Sequence, residues 1–85
     1  MKAYIVKTGY SSGIYGCSDE HFAAIFGDNM IRFSGLYGAE HRVADELKAK
    51  GYDVTIHTAV YGKVTGNDKK WSISEAEAIN EIKSL

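Results

Sequence analysis

Apolar and polar positions along the chain fall into short segments of two periods. Ala3 to Thr8 is rich in β-forming residues and ends at Gly9. Ile14 to Cys17 follows the turn-prone Tyr10-Ser11-Ser12-Gly13, so the two segments read as strands of a hairpin. Phe22, Ile25 and Phe26 then recur at helical spacing behind Ser18, a capping residue type, with Asp19 and Glu20 in the first turn and Gly27 as a stop. That pattern predicts a short helix with its apolar face turned inward.

Met30 to Phe33 reads as a strand. Glu40 to Lys50 carries Val43, Ala44 and Leu47 at helical spacing, with lysines in its last turn and Gly51 beyond. Asp53 to Tyr61 alternates, with Val54, Ile56, Thr58 and Val60 on one face and Thr55, His57, Ala59 and Tyr61 on the other. Thr65-Gly66-Asn67-Asp68 is turn chemistry between Lys63-Val64 and Lys69-Lys70-Trp71, which predicts a second hairpin. Ser74-Glu75-Ala76-Glu77 forms a capping box ahead of Ile79, Ile82 and Leu85, and predicts a final amphipathic helix.

The expected order is β-β-α-β-α-β-β-α. This is an α+β fold, a small mixed sheet of about five strands covered by about two or three helices. The unit from Met30 to Tyr61 is expected to be a parallel, right-handed crossover. Val43, Leu47, Val54, Ile56, Ile79 and Ile82 are expected to share one core. The length of 85 residues suits one compact domain over residues 1–85.

Charge and composition narrow the functional classes. A formal net charge of -1 leaves no general nucleic-acid footprint, so an electrostatic partner site would have to be local. Cys17 is the only cysteine, which excludes an intrachain disulfide and a cysteine-based zinc cage and points to a reducing, cytoplasmic setting. The first apolar run is broken by Lys7, too early for the apolar region of a secretory leader, and no stretch reaches the length of a membrane span.

Several constellations could carry chemistry. Ser12-Gly13-Ile14-Tyr15-Gly16 recurs as Ser34-Gly35-Leu36-Tyr37-Gly38, each leading into a predicted helix with a Glu-His pair, Glu20-His21 and Glu40-His41. Gly16, Gly35 and Gly38, ahead of helix N-termini, are candidate anion-binding positions; the alternative is that they only make tight turns. Cys17 and His21, four apart, would share a face if the helix began early enough, as a thiolate-imidazole pair requires. Cys17 packed as a small hydrophobe is the competing reading. His41 and Asp45 on one helix, with His57 from the next strand, are a conceivable metal set. Lys63, Lys69, Lys70 and Trp71 could meet phosphates and stack on a base, giving an alternative function in weak nucleic-acid binding.

Met30 to Ile56, with Gly35-Leu36-Tyr37-Gly38 after a strand and Lys50-Gly51-Tyr52-Asp53 after a helix, resembles the first strand-loop-helix-strand of Rossmann-type dinucleotide-binding domains. The resemblance implies a phosphate cradle at the glycine turn. His41 stands where a third glycine belongs, and the second strand offers His57 in place of an acidic residue for the ribose.

Six tyrosines in so short a chain are the weightiest compositional feature, because tyrosine supplies large contact area at low entropic cost. Tyr10, Tyr15, Tyr37 and Tyr61 fall in or beside loops and strand ends and are the expected partner-binding residues. The expectation is therefore a non-enzymatic protein-binding module with no cofactor, a small modulator or inhibitor of a larger host or cellular macromolecule of the phage accessory type. A protein partner is expected and self-association is open. No nucleophile, base and orienting group assemble into a catalytic set.

Overall fold

A computed structural model of the chain describes residues 1–12, 18–57 and 72–85. Strands β1 (Lys2–Ser12), β2 (Ser18–Phe26) and β3 (Asn29–Gly35) are followed by helix α1 (Ala39–Ala49) and strand β4 (Asp53–His57). A short strand β5 (Ile73–Ser74) then runs directly into helix α2 (Glu75–Lys83). The strands form one five-stranded sheet in the order β4-β1-β2-β3-β5. β2 is antiparallel to both β1 and β3, whereas β4 pairs parallel to β1 and β5 parallel to β3. The fold is α+β, with a mixed sheet and two helices among the described residues.

Alternation explains why one sheet face is the core. Ala3 and Ile5 of β1, Phe22, Ala24 and Phe26 of β2, and Phe33 of β3 are buried together with Ala39, Val43, Ala44 and Leu47 of α1 and Ala78 and Ile82 of α2. The Phe22 and Phe33 rings stack with centroids 5.3 Å apart. Val54, Ile56 and Ile79 pack against this cluster while partly buried, so the six expected core residues do share one core. Leu85 does not continue the α2 stripe, since it lies beyond the helix end and is exposed.

The helix expected over Ser18 to Phe26 is a strand. Phe22, Ile25 and Phe26 satisfy helical spacing, but Phe22, Ala24 and Phe26 satisfy a period of two, and the small alanine hides that alternation. β2 is central and hydrogen-bonded on both edges, so sheet pairing decides its conformation. Ile25 then falls on the opposite face and is exposed.

The β3-α1-β4 unit links strands of equal direction, as expected, but β1 and β2 lie between them in the sheet. This separates the fold from the Rossmann-type unit it resembles in sequence, where the helix returns the chain to an adjacent strand. Residues 58–61, the strand expected over Ile14 to Cys17, and the Lys63 to Trp71 hairpin lie outside the described residues.

Both helices end as their sequences require. Gly51 has φ 95°, its N–H donates to the Lys48 carbonyl, and the Tyr52 N–H donates to the Leu47 carbonyl, the paired bonds of a Schellman stop. At α2 the Glu77 N–H donates to Ser74 Oγ at 3.1 Å, the N-cap bond of the expected capping box, while Glu77 Oε1 accepts from the Ser74 hydroxyl in place of its main-chain N–H. No helix among the described residues is long and apolar enough to cross a membrane.

Candidate functional site

β1, β3, β4 and β5 point the same way and β2 opposes them, so β1, β3 and β5 finish at the end of the sheet where β2 begins, whereas the described part of β4 stops at His57, level with Val6 of β1. α1 starts at that edge as well. In sheets with parallel strands and helical connections, binding sites gather outside the carboxyl ends of the strands, where loops are free to diverge.

The register fixes what lies there. Tyr10 pairs with Glu20, and Glu20 with Gly35, so these positions form one row across β1, β2 and β3. Adjacent strands are about 4.8 Å apart, which places the Tyr10 and Gly35 backbones within about 10 Å. An irregularity between Lys7 and Gly9 shifts the β1 register, so that Lys7 opposes Phe22 and Gly9 opposes His21. Lys7 Nζ meets Glu20 Oε1 at 3.2 Å.

The segment leaving β3 is tightly built. A Cβ at Gly35 would lie 2.7 Å from the Ala39 Cβ and 3.3 Å from a Glu75 carboxylate oxygen, so only glycine lets the chain turn this close to both helices. Gly38 caps α1 with φ 89°, in the left-handed region that glycine adopts without penalty. Arg42, one turn into α1, donates from Nε and Nη2 to the two carboxylate oxygens of Glu75, both at 2.7 Å. Arg42 Nη2 also donates to the Tyr37 carbonyl at 3.2 Å. Donating to the Glu75 carboxylate raises the Arg42 pKa above its ordinary value, since the acceptor stabilises the charged guanidinium.

This brace leaves the tips of the loop in solvent. Tyr37 is 91% exposed and Leu36 60% exposed. Tyr10 is exposed at the same edge. Tyr15, Tyr61, Gly16 and the lysine-tryptophan cluster at Lys63, Lys69, Lys70 and Trp71 lie outside the described residues. Of the main-chain amides opening α1, that of Ala39 donates to the Leu36 carbonyl, and those of His41 and Arg42 donate to the Gly38 carbonyl.

Glu40 stands out as a buried carboxylate in the first turn of α1, on the core-facing stripe with Val43, Ala44 and Leu47. Its Oε1 lies 3.5 Å from His41 Nε2, and its buried Oε2 has no hydrogen-bond partner among the described residues. Sequence reading notes Glu40 only as half of a Glu-His pair. The burial follows from the helix phase, in which 40, 43, 44 and 47 share one side.

The other expected constellations are dispersed. His21 sits on β2 rather than on a helix, is buried, and has Nδ1 3.1 Å from Ser72 Oγ in a shared hydrogen bond. Cys17, the other half of that expected pair, lies outside the described residues. His41 and Asp45 are exposed on α1, whereas His57 is exposed on the other side of the sheet, so the three do not converge. Among the described residues no group of three or more His, Cys, Asp and Glu side chains is placed to hold a metal ion. Comparison with protein-family models, with curated proteins and with solved structures gives no match.

Proposed function

We propose that this protein is a non-enzymatic protein-binding module that engages a protein partner through the Leu36-Tyr37 loop, with Tyr10 beside it, and so modulates or inhibits a larger host or cellular macromolecule. The observation that supports this reading is a nearly fully exposed tyrosine on a loop held in place from beneath. Arg42 grips the Tyr37 carbonyl and is itself clamped by Glu75, so the ring is presented with little backbone entropy left to lose. Adjacent Leu36 adds apolar area, and an aromatic anchor beside an aliphatic one suits a pocket on a folded partner.

The test is capture from extract with the intact protein against a Leu36→Ala, Tyr37→Ala variant of equal thermal stability. The expected result is one stoichiometric protein retained by the first and lost by the second. Equal retention by both proteins, or recovery of nucleic acid alone, would overturn the reading.

A further inference from the structure

We infer that β4 is a self-recognition edge, pairing antiparallel with β4 of a second copy of this chain in the register that sets Thr55 opposite the partner's Thr55. Among the described residues β4 is the outermost strand of the sheet, and no strand pairs with its outer side. The Asp53 N–H donates to the Met1 carbonyl at 2.7 Å, so Asp53, Thr55 and His57 direct their main-chain groups at β1. By strand alternation, Val54 and Ile56 direct theirs outward, where they offer a second strand donors and acceptors that no described strand takes.

The side chains favour a second copy as the occupant. Asp53, Thr55 and His57 are exposed on the face away from the helices, and Val54 and Ile56 are half-buried on the helix side. With Thr55 on the two-fold axis, Val54 opposes the partner's Ile56, and each such pair exchanges its main-chain hydrogen bonds. Asp53 then opposes the partner's His57, an opposite-charge pair whenever the imidazole is protonated, and symmetry makes the pair twice. A register centred on Val54 or on Ile56 uses only one of the two outward-facing residues and leaves Asp53 without the histidine. The His57 ring is already placed, stacked on Tyr4 with centroids 6.1 Å apart. Edge strands are commonly protected by lysine, proline or a bulge. β4 carries none of these, and its charged ends are complementary to themselves.

So short an interface implies a weak dimer, read by sedimentation or diffusion NMR over a rising concentration series. Measured at about pH 5.5, where an ordinary imidazole is protonated, Asp53→Lys alone and His57→Glu alone should each weaken dimerisation by about tenfold or more, since every cross-strand charge pair is then repulsive. Mixed in equal amounts, the two variants should pair with one another. The lysine introduced in the first then faces the glutamate introduced in the second, and the unaltered His57 of the first faces the unaltered Asp53 of the second. Matched melting temperatures confirm that all three proteins are folded. A chain that stays monomeric at millimolar concentration, a dimer indifferent to both substitutions, or variants that fail to pair on mixing would overturn the inference.

Discussion

A methyl group at Gly35 meets the Ala39 Cβ and Glu75 at once, and neither α1 nor α2 can give way without disturbing the packed core. Gly35→Ala should therefore cost about 1–3 kcal/mol in denaturant melts, an overpacking penalty. Gly51 is the opposite case, with φ 95° and nothing within 4 Å of an added Cβ, so Gly51→Ala should cost about 1–2 kcal/mol from backbone strain alone. Both glycines are legible in sequence as turn residues. That Gly35 is needed for close approach is not legible, because its neighbours come from segments far apart in the chain. Glu40 poses a similar limit, since its polarity predicts solvent and its phase in α1 predicts burial. Its Oε2, without a partner among the described residues, makes the carboxylate costly, so Glu40→Met should raise stability by about 1 kcal/mol in the same melts. A loss of stability would show that the carboxylate has a partner.

Local signals succeed where an element's own residues close its hydrogen bonds. α1 and α2 are legible because Gly51, Ser74 and Glu77 satisfy helix ends within a few residues of sequence. Ser74→Ala removes one such bond and should lower stability by about 1 kcal/mol. Leu47→Ala removes a fully buried side chain from the middle of α1 and should cost about 2–5 kcal/mol. A loss below about 1 kcal/mol for Leu47→Ala, in urea or in heat, would mean that α1 does not pack on the sheet as described. β2 is the contrasting element. Its residues support either period, and the choice is made by β1 and β3, whose hydrogen bonds lie many residues away. The central position also lets Ala23 and His21 be buried on the face away from the helices, which blurs the polar alternation that marks a strand.

At the scale of the molecule, the sequence order of strands does not reveal that α1 carries the chain across β2 and β1 to the far edge. The candidate site depends on that topology only in part. Leu36 and Tyr37 are presented by a local turn, and the Ser-Gly-Leu-Tyr-Gly motif is visible in sequence, but the brace joins Arg42 of α1 to Glu75 of α2 and appears only once both helices are packed. This arrangement makes Glu75 a positioning residue for a surface that it does not itself form. Glu75→Gln should leave the fold intact, because an exposed ion pair contributes little to global stability. It should weaken partner binding about threefold to tenfold, since the loop must then be ordered at the moment of association. Tyr37→Ala should weaken binding further, by about 2 kcal/mol or more, as expected for an aromatic anchor. Because Glu75 acts through the loop, its effect should vanish once Tyr37 is removed, so a double-mutant cycle should give a coupling nearly as large as the Glu75→Gln effect alone. High salt should mimic Glu75→Gln in the parent protein and do little to the variant, as screening of the Arg42-Glu75 pair requires. Additive losses in the cycle would mean that Glu75 touches the partner directly, and unchanged affinity in both variants would place the interface elsewhere on the molecule.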